Sequence, residues 1–169
     1  MPETLRSILL GTLALDAAFV LALVLTVGRP LPGRDQPERD RVLGPFLLGV
    51  GIQCLHVIEE FVTGFHILFP RFLGLAPWSA EFFVAFNLSW ITIWVWSPVA
   101  VRWGVRAAAL PIWFFSIAAV GNGIVHPLLS LATGGYFPGL YTSPVLGVIG
   151  VVVGSRLVVA TRRTSTVPS

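Results

Sequence analysis

Lysine is absent from this sequence, cysteine and methionine occur once or not at all beyond a single copy, and only 11% of the residues are charged. Each shortage removes a class of function. With no lysine, the pI near 10.0 reflects arginine rather than a strongly basic surface, and the formal charge is only +3. Arginines and aromatics do not interleave along any polar stretch, which argues against nucleic acid as a partner. The lone Cys54 has no internal disulfide partner, so cysteine says nothing about redox compartment; it reads as a small apolar filler. No internal repeat is visible, and the one biased segment is the polar C-terminal stretch TRRTSTVPS.

What remains is apolar. Hydrophobic residues make up 55% of the chain, and the mean hydropathy is +0.84. A soluble domain of this length does not have that composition; a bundle of membrane helices does. A bilayer core about 30 Å thick needs about 20 apolar helical residues. Five stretches qualify: 8–27, 42–69, 80–101, 107–131 and 144–160. The first is too long for the apolar part of a signal peptide, and no A-x-A site follows it. The expected architecture is all-α: an integral membrane bundle of five transmembrane helices. It forms a single membrane domain over 1–161, followed by a disordered cytoplasmic tail over 162–169.

Loop charges predict the orientation. Five spans put the 29–41 loop, the 102–106 turn and the C-terminus on one side, with Arg29, Arg34, Arg39, Arg41, Arg102, Arg106, Arg156, Arg162 and Arg163. The other side holds only Arg6 and Arg71. The positive-inside rule then places the N-terminus outside, the C-terminus inside and the 133–144 loop on the outer face.

Against this background the run LHVIEEFVTGF (55–65) stands out. A charge at the centre of a membrane helix costs about 3 kcal/mol even on lenient scales. On a helical wheel, Gln53, Glu59, Glu60 and Thr63 fall within about 60° of His56, while Cys54, Ile58, Phe61 and Phe65 lie on the opposite side. The stretch can hide its ionisable groups inside the bundle and show apolar side chains to lipid. At a rise of about 1.5 Å per residue, Asn87 in the third span and Asn122 and His126 in the fourth reach the depth of His56 and Glu60, with Asp16 of the first span near mid-depth. Phe83, Trp90 and Trp94 share the face of Asn87 and would form an aromatic wall. Trp78 and Trp103 read as interfacial anchors, and His66 as an interfacial residue with a spare nitrogen. These groups predict one site: Glu60, Glu59, His56 and His126 as the chemical groups, and Asn87, Asn122, Trp90, Trp94, Phe83, Tyr136 and Asp16 around a substrate. A packing role for the same polar groups is the plain alternative, because interhelical hydrogen bonds also hold membrane helices together.

The run His56-Val57-Ile58-Glu59-Glu60, the later His126 and the run Tyr136-Phe137-Pro138-Gly139 resemble, in order and spacing, the HXXEE family of small bacterial proteins. That family is named for its first motif and also carries a second histidine and a YXPG motif. The resemblance covers roughly residues 42–145. It implies a membrane protein, here expected in the bacterial cytoplasmic membrane, in which His56, Glu59, Glu60, His126 and the 136–139 turn belong together. It implies no particular activity.

Three chemistries fit these residues. In the first, no cofactor is needed. Neighbouring buried carboxyls share a proton, Glu60 donates it, Glu59 or His56 takes one back, and the aromatic wall stabilises a passing cation. Such a site would isomerise or cyclise a lipophilic, isoprenoid- or sterol-like substrate, by analogy with membrane sterol isomerases and terpene cyclases. In the second, His56, Glu59, Glu60 and His126 hold one divalent metal, zinc or iron, for a hydrolase or oxygenase. In the third, the chain is a proton-coupled transporter or a packing subunit, although transporters usually show an internal repeat. The expected partners are a lipophilic small molecule or lipid and the membrane, with a homo-oligomer left open.

Overall fold

The computed structural model describes residues 3–29, 31 and 37–162. Arg34 and the part of the expected tail from 163 onward lie outside the described residues. Arg162 ends a helix rather than beginning a tail. Among the described residues the chain is all helical: α1 (Glu3–Gly11), α2 (Leu13–Gly28), α3 (Pro37–Val62), α4 (Phe65–Phe72), α5 (Ala80–Arg102), α6 (Ala109–Thr133) and α7 (Ser143–Arg162). A single 3-10 turn, Arg106–Ala108, leads into α6.

Four segments are long and apolar enough to cross a membrane: Arg39–Val62, Ala80–Arg102, Arg106–Thr133 and Ser143–Thr161. The bent pair α1 and α2 makes a fifth if it counts as one span. The outer surface fits lipid. Val24 on α2, Ile58 and Val62 on α3, Trp96 on α5, Leu128 on α6 and Val148 on α7 are all exposed.

Two of the expected spans are broken. The 8–27 stretch is not one straight helix, because α1 and α2 meet at Thr12 with a bend of 51°. There the Thr12 hydroxyl donates to the Ile8 carbonyl, and such back-bonding bends helices. The Ser7 hydroxyl, donating to the Ala76 carbonyl, ties α1 to the chain ahead of α5. The expected 42–69 span ends at Val62 instead. Gly64 adopts φ +85°, a left-handed conformation that costs glycine nothing, and α4 starts as a separate helix at Phe65. Glu59 and Glu60 therefore lie in the last turn of α3, not inside a longer span.

α6 is the centre of the bundle, with α7 and α2 against it, while α3 lies on α7 and α5. The α6–α7 contact depends on small residues. A Cβ on Gly123 would fall 2.7 Å from the Cα of Gly147, so the two backbones touch where neither side chain exists. One turn or more along the same contact, the Ser116 hydroxyl donates to the Gly150 carbonyl at 2.8 Å. Phe46, Ile112, Phe115, Leu146, Val153 and Leu157 fill the interior at 1% exposure or less, so the middle of the bundle is dry and close-packed.

The arginine-bearing helix ends gather at one end of this core. Arg39 Nη1 donates to the Val101 carbonyl at 3.4 Å, and Arg156 Nη1 donates to the Arg41 carbonyl at 2.6 Å. The ends of α3 and α6 that carry Glu60 and His126, together with α1, α4 and the 134–142 loop, form the other end. The polar cluster and the arginine belt are thus separated by the length of the apolar core.

Candidate functional site

His56 and Glu60 are one helical turn apart on α3 and face the same way. His126 approaches from α6, whose register is fixed by the glycine contact with α7. Glu60 Oε1 lies 3.5 Å from His56 Nε2 and 3.3 Å from His126 Nε2. The two imidazoles meet edge to face with centroids 4.8 Å apart. All three side chains are buried, with residue exposures of 0%, 6% and 2% for His56, Glu60 and His126. One potential ligand atom from each lies within 4.8 Å of the others.

The outer nitrogens of both rings are held by the 134–142 loop, and the partners set the tautomers. His126 Nδ1 is 2.6 Å from the Pro138 carbonyl, which can only accept, so Nδ1 carries the hydrogen. His56 Nδ1 is 2.8 Å from Thr142 Oγ1. That hydroxyl spends its own hydrogen on Glu59 Oε2, 2.6 Å away, and so accepts from His56. The Asn122 amide nitrogen lies 3.4 Å from His56 Nε2, on the side where a lone pair would accept from it. Two neutral imidazoles thereby turn their Nε2 lone pairs toward one carboxyl oxygen. Hydrogen-bonding the far nitrogen of each histidine is how proteins orient metal-ligating imidazoles.

Glu59 is not part of this cluster, contrary to the shared carboxyl pair the sequence suggests. It turns outward and acts as an acceptor for the loop. The Tyr136 hydroxyl donates to it at 2.8 Å, the Tyr141 amide at 3.0 Å, and the Thr142 amide and hydroxyl at 2.9 and 2.6 Å. Tyr136 correspondingly stays on the outside, stacked on Tyr141, and does not border a substrate space. Its partial burial, together with the neighbouring carboxylate, raises the phenol above its ordinary range, so it remains a donor at neutral pH. Gly139 has φ +88° and passes directly over both rings. A Cβ there would fall 2.5 Å from His126 Nδ1 and 2.9 Å from His56 Cε1. Only glycine fits.

A cleft of about 370 Å³ opens beside the cluster. Glu60, His126, Asn122, Asn87 and Gln53 form its polar end, and Phe83, Trp90 and Trp94 line it as the wheel predicts. Asn87 does not reach the histidines; its amide nitrogen donates to the Phe83 carbonyl on its own helix. Trp94 Nε1 donates to the Pro111 carbonyl and fixes α5 against α6. His56 lies behind Glu60 and does not border the cleft. Asp16 is a further correction: it is exposed, it is absent from the cleft, and its carboxylate accepts from Thr12 at 3.3 Å. Trp78 is not an exposed interfacial anchor but a buried part of the cleft wall. His66 stacks on Phe61, lies tilted against Phe83 and takes no place in the cluster.

Sequence reasoning missed Thr142, whose only signal is a hydroxyl placed just after the 136–139 turn. It also left Gln53 out of the site, although that residue lies on the polar face of α3.

A family model described as "Protein of unknown function with HXXEE motif" matches residues 47–153. The chain belongs to the HXXEE family. No curated protein and no solved structure matches it. The matched region of this HXXEE protein contains His56, Glu59, Glu60, His126 and the whole 134–142 loop, so the cluster and its supports lie inside the family's common part.

Proposed function

We propose that this HXXEE protein is a membrane-embedded metalloenzyme acting on a lipophilic substrate. His56, Glu60 and His126 would hold one divalent ion, and two of these residues, Glu60 and His126, also border the aromatic cleft. The observation that carries this reading is the convergence of two oriented imidazole lone pairs and one carboxylate in a buried space. Two nitrogens and one oxygen suit zinc or ferrous iron, and three protein ligands leave a position for water or substrate. An ion also supplies the charge that makes a carboxylate tolerable there. The reaction we favour is hydrolysis. When bound, the ion would supply an activated water and polarise the carbonyl of an ester or amide, whose acyl bond to oxygen or nitrogen would be replaced by one to the water oxygen while the alcohol or amine leaves with a water proton. The arginine asymmetry of the loops supports a place for this end in the outer leaflet of a bacterial cytoplasmic membrane.

The second reading keeps the cluster metal-free. A neutral Glu60 would donate to His126 while Asn122 donates to His56, which satisfies every lone pair. Glu60 would then be the proton donor in isomerisation of an isoprenoid- or sterol-like substrate. Glu59, engaged with the loop, is no longer available as its acceptor. Transport is less well supported, because the core between the cluster and the arginine end is filled mainly by apolar side chains, and the buried Ser116 spends its hydroxyl on the Gly150 carbonyl.

Metal analysis separates the readings. Purified, chelator-washed protein reloaded with zinc should retain one ion per chain, and Glu60→Gln and His126→Ala should lose it. No stoichiometric retention of zinc, iron or cobalt by folded wild-type protein would end the metalloenzyme reading.

A further inference from the structure

We infer that the cleft takes a neutral, single-chain lipid with a carbonyl group, a fatty ester or amide, which reaches it sideways from the bilayer between α2 and α5. This deepens the metalloenzyme reading and rests on it for the position of the carbonyl beside Glu60 and His126.

Charge excludes the commonest lipids. The polar lining consists of Thr12, Gln53, Asn87 and Asn122, which are uncharged, and Glu60 and His126. Among the described residues no arginine borders the cleft, and the chain has no lysine. In the metal-free protein a phosphate or free carboxylate head would be desolvated next to the Glu60 carboxylate with no basic side chain to pair with, and with an ion bound Glu60 already offsets part of its charge, whereas amides and an oriented imidazole suit an uncharged carbonyl. Size restricts the tail. A volume of about 370 Å³ is near the low end for small-molecule pockets, which suits one chain better than two.

The packing supplies the path. α2 and α5 each lie against α6, yet they are not a closely packed pair; Phe19 of α2 touches Trp90 of α5 with ring centroids 6.0 Å apart. Ala14, Ala17 and Leu21 of α2 border the cleft and are also exposed at the bundle surface. In a membrane that surface faces acyl chains. A molecule already dissolved in the bilayer therefore enters without crossing water.

Tryptophan quenching tests this on the full chain in detergent micelles. Trp90 and Trp94 face the cleft, and bromine quenches indole on contact. The probes are methyl 9,10-dibromostearate, the corresponding free acid in ionised form, and a phosphatidylcholine with the same brominated chains. On metal-free protein the ester should quench saturably, with at least tenfold tighter apparent binding than the other two. Trp78 lines the cleft as well, so the Trp78→Phe/Trp90→Phe/Trp94→Phe triple variant should lose the saturable component, and Ala17→Phe, at the exposed rim, should weaken it in the wild-type background. Equal quenching by all three probes, a saturable component that survives the triple variant, or an unaffected Ala17→Phe protein would overturn the assignment. Running the titration on zinc-loaded and metal-free protein keeps the two proposals apart. Ester-selective quenching without zinc retention sinks only the metal reading; zinc retention without ester selectivity sinks only this one.

Discussion

Replacing Glu59 with glutamine should weaken metal binding although Glu59 touches no ligand atom of the proposed ion. The change keeps the size of the side chain and removes its charge. Glu59 now accepts four hydrogen bonds from the loop, two on each oxygen. A glutamine has one acceptor oxygen, so its NH₂ group must face two donors wherever it is turned. Hydrogen bonds to a charged group are worth about 1.5–3 kcal/mol each when fully formed. Glu59 is half-buried, so solvent screening reduces this, and a loss of about 2 kcal/mol in loop anchoring is the expected scale. The consequence travels through Thr142. If the NH₂ group faces Thr142 Oγ1, the hydroxyl hydrogen is freed to point at His56 Nδ1, and the imidazole hydrogen moves to Nε2. The ligand lone pair is then lost. Disrupting a support of this kind costs about 10–100-fold in metal affinity. Cobalt titration followed by visible absorption measures it directly, with Thr142→Val as a second route to the same defect and Thr142→Ser as the conservative control. Equal cobalt affinities and spectra in wild type, Glu59→Gln and Thr142→Val, all folded, would refute the relay from loop to histidine.

Gly139→Ala should cost about 2–4 kcal/mol, because a methyl group at φ +88° collides with two rings held in a close-packed site; thermal unfolding in detergent reads the loss, and an unchanged melting temperature would contradict the contact. Tyr136→Phe removes only one of the four donors to Glu59, and not one that touches a histidine, so stability should fall by about 0.5–1.5 kcal/mol while cobalt affinity stays within about threefold of wild type. Gly123→Leu should separate α6 from α7, carry His126 away from Glu60 and abolish cobalt binding together with monodispersity on size exclusion.

How far the site could be read from sequence depends on which constraint each residue obeys. His56, Glu60 and Gln53 obey helical periodicity, and the wheel puts them on one face. His126 and Asn122 obey depth, which the number of residues from a helix end fixes well enough to bring them level with His56. The first-span break does not show in hydropathy, because Gly11 and Thr12 sit inside an apolar run and the bend comes from a hydroxyl and a tertiary tie through Ser7. Asp16 was misjudged for the same reason: the bend gives it a local partner in Thr12 and takes it to the surface. The end of α3 at Thr63 and Gly64 was equally hidden, since the apolar pattern continues through Phe65.

Glu59 shows what periodicity cannot supply. Its wheel position differs from that of Glu60 by only one residue step, and at either position a carboxyl could face inward. What decides between them is a loop about 80 residues later in the chain, which brings four donors to one carboxylate and none to the other. The two adjacent glutamates therefore have different work. Glu60 meets the histidines, and Glu59 fastens the loop that orients them. This division explains why a helix motif and a distant turn belong together. The turn supplies the Pro138 carbonyl for His126, the space above Gly139 for both rings, and Thr142 for His56, and it stays in place because Glu59 holds it. His56 is thus aimed by a loop that the other half of its own motif secures, and the same loop aims His126.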